Sequence, residues 1–325
     1  MLSGQVVALA RHEFRSALRS RVLAALLVTL LAVTTVSILV GTFDYRTQLA
    51  DYQAYRDAAV AAGITRVPPL PLVPLELLRG VVEYLEIIGA VLAIALGYLS
   101  VARERGNRTL PLIRTRPVST GQLALGTALG AIALITTLVL ATAAMAVLAL
   151  GVVGGNWING VEALKLAIFC VASVVYMTTF YFLGALLAAR IRVLANALVG
   201  ALVIWLAVVL IIPQIGDTLD ADNQVPGGLF ASLNVDKKHE LAIIADFGTY
   251  ERIRTDLEQL SLAKHYERFA FAGLDVKASY RGASIQTLLT HKLADLAWIV
   301  ACAAFLGAGM WWSFRRQPAL PRGEN

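Results

Sequence analysis

Charged residues and cysteines are both scarce in this chain of 325 residues. Asp, Glu, Lys and Arg make up 15% of the sequence, whereas hydrophobic residues make up 58% and the mean hydropathy is +0.69. Because soluble domains carry about 25% charged residues, this balance excludes a protein that water surrounds on all sides. It also excludes a nucleic-acid-binding protein, despite the net charge of +6. Two cysteines are too few for a secreted disulfide scaffold.

The motifs of common catalytic sites are missing as well. No glycine is followed by lysine, which excludes a phosphate-binding GxxxxGK[ST] loop. HExxH and GxSxG are absent, and Cys170 and Cys302 lie in apolar stretches away from any histidine. The four histidines lie on separate segments without the spacing of a helical metal site. We therefore expect no catalytic residue, no metal site and no cofactor in this chain.

Long runs without any charged residue dominate the sequence instead. A bilayer core about 30 Å thick needs roughly 20 apolar helical residues to cross it. The longest run must contain a break, which a glycine-rich stretch at residues 151–160 supplies. The pattern predicts an all-α polytopic membrane protein with six transmembrane helices. The predicted spans cover residues 22–42, 76–102, 121–150, 163–189, 193–213 and 291–314.

The segments outside the spans have distinct patterns. Residues 1–21 place arginines and apolar residues at helical spacing, which predicts an amphipathic interfacial helix whose arginines reach toward lipid phosphates. Residues 43–75 and 214–290 connect spans on the opposite side. The longer one is predicted to be a small, mostly helical extracytoplasmic insertion between spans five and six, with helices at Thr249–Ala270 and Asp236–Asp246. An insertion this small must pack on the membrane domain, a second copy or a partner.

The distribution of arginine predicts the orientation. The leader, residues 103–116, the turn at 190–192 and the tail at 315–325 all lie on one side of a six-span protein. They carry 14 positive residues against three acids, whereas the other side carries 14 positive residues and 19 acids. Lys and Arg in short loops mark the cytoplasmic side. Both termini are therefore predicted to be cytoplasmic.

Four ionisable residues lie near the predicted outer ends of spans two and six: Glu83, Glu86, Lys292 and Asp295. One interpretation is that they hold the helix ends at the membrane interface or form structural ion pairs. The other is that they line a route for a substrate, because ionisable groups within the membrane are often functional. No predicted span has a charge at its middle, which argues against a proton-relay or ion-coupled pump.

The predicted cytoplasmic segment at residues 103–120 is the most specific part of the sequence. An acid lies among arginines, a glycine follows, and Leu110, Leu112 and Ile113 form a short apolar patch before Pro-Val-Ser caps the next helix. One interpretation is a basic loop held against anionic lipid. However, exposed apolar side chains in such a loop favour insertion into a socket on a cytoplasmic partner.

This segment resembles the cytosolic loop of ABC-2-type transporter permeases. The matching residues are Glu104, Thr109, Leu110, Leu112, Pro117, Val118, Ser119, Leu123 and Gly126. The sequence departs from the family pattern at Arg108 and Thr127, and residues 214–290 are longer than the outer hairpin typical of drug exporters. The resemblance implies that an ATPase-coupling site is formed by Glu104, Gly106, Thr109, Leu110, Leu112, Ile113 and Pro117.

The resemblance also implies partners and a function. A pair of permeases, expected to be a homodimer in a bacterial plasma membrane, would work with two separate ABC ATPase subunits that bind ATP and Mg. ATP-driven closure would push residues 103–116 and move the spans, so that a substrate is moved across the membrane, export being the common use in the family. The alternative is a non-transporting scaffold that transmits the same motion to an extracytoplasmic partner protein.

Overall fold

The computed structural model describes residues 4–64, 67, 73–106, 119–219, 232–236, 239, 248–277 and 280–316. All regular structure in these residues is helical, and six helices are long and apolar enough to cross a membrane. These helices cover Arg21–Ala61, Pro74–Arg105, Thr120–Val152, Gly160–Arg190, Leu194–Gly216 and Ile285–Arg315. The prediction of an all-α membrane protein with six spans is therefore confirmed.

A separate helix precedes the first span. α1 (Gly4–Arg19) is followed almost directly by α2 (Arg21–Ala61). Ser20 separates the two helices, because its backbone is extended and its hydroxyl accepts a hydrogen bond from the Leu23 amide, as an N-cap does. α2 continues beyond residue 42, where the first span was expected to end, so residues 43–61 extend the same helix.

The second span changes helix type along its length. It begins as a 3₁₀ turn (Pro74–Leu78) and continues as α3 (Arg79–Tyr84). A π turn (Leu85–Gly89) follows, and α4 (Ala90–Gly106) completes the span. Proline suits the first helical turn, where an amide hydrogen would have no partner. π turns within helices are rare and are often found at functional sites.

The third and fourth spans are α5 (Thr120–Val152) and α6 (Gly160–Arg190). Both begin with a capping box, formed by Ser119 with Gln122 in α5 and by Asn159 with Glu162 in α6. The turn between the helices passes through Gly155, whose φ of +70° suits glycine because it lacks a Cβ. The turn between α5 and α6 therefore covers residues 153–159.

The fifth span contains a second π turn. It consists of α7 (Leu194–Trp205), the π turn (Leu206–Ile211) and α8 (Ile212–Leu219).

Three helices complete the described chain: α9 (Gly248–Leu260), α10 (Leu262–Gly273) and α11 (Ile285–Arg316). Ser261 divides the helix that the sequence predicts over Thr249–Ala270 into α9 and α10. Its backbone is extended and its hydroxyl accepts a hydrogen bond from the Lys264 amide, so it caps α10. Most of the helix predicted over Asp236–Asp246 lies outside the described residues.

The closest packing in the core joins α4 and α6. A Cβ atom added at Gly97 would collide with the Tyr181 carbonyl oxygen, and one added at Gly184 would collide with the Ile94 carbonyl oxygen. The two backbones are therefore in direct contact, as small residues permit between membrane helices. Tyr176 and Tyr181 of α6 are fully buried around this crossing, so α6 forms the centre of the bundle.

Candidate functional site

One end of the bundle collects most of the arginines. We call it the arginine-rich end; it comprises α1, the end of α4, residues 190–192 and the end of α11. α1 lies against α5 there, because a Cβ atom added at Gly126 would meet Leu9 and one added at Gly130 would meet the Ala10 carbonyl. The leader helix is therefore fixed to the third span along one face.

Arg103 joins the end of α4 to α1. Its guanidinium lies 2.5 Å from the Glu13 carboxylate and also donates a hydrogen bond to the Ser16 hydroxyl. Glu13 is buried, and burial raises the pKa of its carboxyl, while the charges of Arg103 and His12 oppose that rise. This ion pair links the leader directly to the residue that begins the predicted coupling segment.

Arg105 joins α4 to the turn between the fourth and fifth spans. It donates hydrogen bonds of 2.5, 2.8 and 3.0 Å to the carbonyl oxygens of Ala188, Ile191 and Arg192. These carbonyls lie at the end of α6, where the last turn of a helix leaves its acceptors unpaired. Arg105 therefore acts as a side-chain cap for α6 from another span.

Arg190 extends the connections to the last span. Its Nε donates a 2.6 Å hydrogen bond to the Ser313 hydroxyl, and its guanidinium lies 4.6 Å from the Trp312 ring centroid. Three arginines thus connect α1, α4, α6 and α11 at one end of the bundle. The end of α4 is therefore connected to each of these elements.

The predicted coupling residues divide between this network and the undescribed part of the chain. Glu104 and Gly106 lie in the last turn of α4, directly beside Arg103 and Arg105. Thr109, Leu110, Leu112, Ile113 and Pro117 lie outside the described residues. The structure therefore places the point where the segment begins and leaves its apolar patch a prediction.

At the opposite end, α10 packs among the spans. Tyr266 makes a 2.8 Å hydrogen bond with Ser173 and stacks on Tyr176 with ring centroids 4.3 Å apart. Ser173 lies about 25 Å along α6 from Arg190, which is less than the thickness of about 30 Å of a hydrocarbon core. Part of the 214–290 insertion is therefore embedded in the membrane domain.

Both π turns accept hydrogen bonds from side chains that surround α10. The Tyr176 hydroxyl donates a 2.9 Å hydrogen bond to the Glu86 carbonyl, and the Ser261 hydroxyl donates a 2.7 Å hydrogen bond to the Val208 carbonyl. Glu86 lies in the π turn of the second span and Val208 in that of the fifth. A π turn displaces carbonyls from the regular helical ladder, and here polar side chains use these acceptors.

A buried ion pair also holds the end of α10. The Lys165 ammonium lies 2.6 and 2.7 Å from the two Asp275 carboxylate oxygens, and the side chains are only 4% and 8% exposed. Asp275 has φ of +58°, and the Val276 and Asp275 amides donate to the Phe271 and Ala272 carbonyls. This is a Schellman motif in which aspartate takes the place that glycine usually occupies.

Asp295 is the centre of a second polar cluster. Its carboxylate lies 2.7 Å from His265 Nδ1, 3.2 Å from Lys292 Nζ and 3.6 Å from Arg268 Nε. The Nε2 atom of His265 lies 3.0 Å from the Gln259 carbonyl. The structure therefore places Lys292 and Asp295 in one ion pair, which His265 and Arg268 of α10 join.

Glu83 and Glu86 have other surroundings. Glu83 lies 3.5 Å from Arg79 in an exposed pair one helical turn apart, and Glu86 is in the π turn of the second span. The role of the four ionisable residues therefore stays a prediction. Within the part of the chain that the structure describes, no group of His, Cys, Asp or Glu could hold a metal ion.

Sequence reasoning missed Glu13, although the sequence contains a signal for it. Glu13 falls on the same helical face as Val6, Ala10 and Ala17, which is the apolar face of the leader. An acid on that face predicts burial and therefore a positive partner. Lys165 and Asp275 gave no such signal, because 110 residues separate them along the chain.

The fold and these two ends define a multi-pass helical membrane protein. The model of the ABC-2 family transporter proteins matches residues 7–318, which is nearly the whole chain. The chain therefore belongs to the ABC-2 transporter family and is its membrane subunit, which implies an ATPase partner. No curated protein matches the sequence significantly.

Proposed function

We propose that this chain is the permease subunit that couples ATP hydrolysis by two separate ATPase subunits to export of a substrate. The observation that supports this function is the network of Arg103, Arg105 and Arg190. It connects the end of α4, which leads into the predicted coupling segment, with α1, α6 and α11. A force applied to the coupling segment would therefore reach the bundle. ATP and Mg are bound by the partner subunits.

The proposal is tested by purifying the tagged chain from its native membrane. We expect an ATPase subunit to co-purify in equal amount, and ATP hydrolysis by the complex to depend on Mg. The isolated permease should hydrolyse no ATP. A permease that purifies without any ATPase, under mild detergent and from cells that express its neighbouring genes, would contradict the proposal.

We further propose that the arginine-rich end faces the cytoplasm of a bacterial cell. Its short segments carry 14 positive residues against three acids, and this excess supports an inside location for both termini. The opposite end, with α9 and α10, is then extracytoplasmic.

Cysteine labelling tests this orientation. With Cys170 and Cys302 replaced by alanine, a single cysteine at Ser232 should react with a membrane-impermeant maleimide in intact cells. A single cysteine at Thr109 should react only after the membrane is opened, because the bilayer shields the cytoplasmic side. Labelling of both positions from the same side would exclude the six-span topology.

A second copy of the chain is proposed to cover part of the exposed apolar surface. Only 17% of the most apolar stretch is buried in the fifth span and likewise in the sixth, compared with 67% in the fourth span. Exposed apolar surface of a span contacts either lipid or another subunit. We therefore propose that the contact within a homodimer is formed by the fifth span, the sixth span or both.

The alternative, a scaffold that moves an extracytoplasmic partner, is favoured by the exposed face of α9. Ile253 and Leu260 are 53% and 61% exposed there. We expect Ile253→Asp with Leu257→Asp to abolish dimerisation or basal transport if α9 forms a lid with the second copy. Loss of a co-purifying outer protein, with the dimer and ATPase activity retained, would support the scaffold.

The control for this experiment is Thr255→Asp with Gln259→Asp. It adds the same two charges to another exposed part of α9, and it should change neither dimerisation nor co-purification. If the Ile253 and Leu257 variant behaves like the control, the exposed face of α9 contacts neither a second copy nor an outer protein. The lid and the scaffold hypotheses are then both wrong. Size-exclusion chromatography with light scattering measures the dimer, and mass spectrometry identifies the outer protein.

A further inference from the structure

A stripe of unpaired positive charge runs along α1. Arg11, Arg15 and Arg19 are four residues apart, so their side chains lie in one line on the helix surface. All three are exposed, and none of them forms an ion pair with any residue that the structure describes. The single acid of α1, Glu13, is buried and bound to Arg103 instead.

A groove accompanies this stripe. It is a shallow cavity of about 360 Å³, lined by Ala8, Arg11, His12, Arg15, Ser16 and Arg19. Val7 and Leu18, near its two ends, are about half exposed. The surface therefore combines unpaired cations with apolar side chains, and this combination suits an amphiphilic anion better than a small soluble ion.

The position of α1 turns the groove away from the bundle. The helix contacts α5 at Gly126 and Gly130 through Val6, Leu9, Ala10 and Glu13. The arginine stripe is therefore left facing the surroundings of the protein, directly before the start of α2, the first span. A basic amphipathic helix of this kind typically lies among phospholipid headgroups.

We propose that an anionic phospholipid binds in this groove, with its phosphate between the arginines of the stripe and its acyl chains beside Val7 and Leu18. The inference rests on the proposed orientation only in assigning the lipid to the cytoplasmic leaflet. Ser16 lines the groove and accepts a hydrogen bond from Arg103. The lipid headgroup thus lies one side chain away from the start of the proposed coupling segment.

The test uses the purified full-length permease without any ATPase, so failure of the transport proposal does not affect it. The protein in neutral detergent is titrated with phosphatidylglycerol or phosphatidylcholine, and native mass spectrometry counts the bound lipids. We expect tighter binding of phosphatidylglycerol. Arg11→Gln, Arg15→Gln and Arg19→Gln together should weaken it roughly tenfold to a hundredfold and leave phosphatidylcholine unchanged.

The matched control replaces three exposed arginines at the opposite end, Arg46, Arg56 and Arg252, by glutamine. It removes the same charge and should change phosphatidylglycerol affinity less than twofold. Equal effects of the two triple variants, or none from the α1 variant, would overturn the proposal. Millimolar inorganic phosphate should not displace the lipid; full displacement would show a free-anion site instead.

A separate outcome identifies a protein ligand. If the α1 variant binds phosphatidylglycerol normally but no longer co-purifies with the ATPase subunit, the stripe docks an acidic protein surface and the lipid proposal is wrong. The ATPase subunit is absent from the titration, so the two results are obtained independently.

Discussion

Replacing Asp275 with asparagine should destabilise the membrane domain by about 3–5 kcal/mol, because the buried Lys165 ammonium would lose its only described carboxylate partner. Asparagine has nearly the same volume and tolerates the left-handed backbone conformation of residue 275. The loss of stability would therefore come from the broken ion pair and not from a change of backbone conformation. Unfolding of the detergent-solubilised protein, followed by denaturant titration or by the loss of monodispersity on heating, measures the effect.

Two further variants make this test specific. The double variant Lys165→Met with Asp275→Asn removes the unpaired charge and should recover most of the lost stability. Glu76→Gln breaks the ion pair between Glu76 and Arg281, whose side chains are 38% and 39% exposed. Because this pair is exposed to solvent, the substitution should lower the free energy of unfolding by less than about 1 kcal/mol. Equal destabilisation by Glu76→Gln and Asp275→Asn would show that burial does not set the strength of these pairs.

Replacing Leu112 with aspartate should detach the ATPase subunits while the membrane domain stays folded. If Leu112 fills a socket on the ATPase, a carboxylate there costs about 2 kcal/mol or more, which weakens the contact at least thirtyfold. ATPase co-purification and ATP turnover should both fall to background. Quantitative pull-down and hydrolysis assays of the same preparation measure the two losses.

The control is Thr115→Asp, which adds the same charge at a polar position of the same segment. It should retain the ATPase, since a polar side chain there is not expected to enter the socket. An unchanged elution profile and melting temperature of the Leu112→Asp permease would show that its membrane domain is intact. Normal co-purification and turnover in this variant would contradict the coupling role of residues 103–120.

The sequence was sufficient for the spans, because absence of charge over about 20 residues is a direct physical requirement of the bilayer. It was less informative at the outer ends of the spans. Helix α2 continues to Ala61 through residues that are polar but still favour helix, so the loss of hydropathy marked the membrane boundary and not the helix end. Hydropathy and helical structure are separate properties.

The contacts of the candidate site could not be read from the sequence. Arg103 and Arg105 were recognised as part of a basic segment, but their partners are Glu13, Ala188 and Ile191, which lie 83 or more residues away. The sequence predicts one continuous amphipathic helix through Ser261, because serine is tolerated within helices. In the structure the Ser261 hydroxyl both caps α10 and donates a hydrogen bond to the Val208 carbonyl, a long-range partner that the sequence does not reveal.

The direct contacts of Gly97 with the Tyr181 backbone and of Gly184 with the Ile94 backbone have a mechanical consequence. No side chains lie between the second and fourth spans at this crossing, so neither helix can slide past the other without a collision of their backbones. The second and fourth spans must therefore move together as one rigid unit. A push that enters at the end of α4 would then move the second and fourth spans together, along with the end of the sixth span that Arg190 holds to α6.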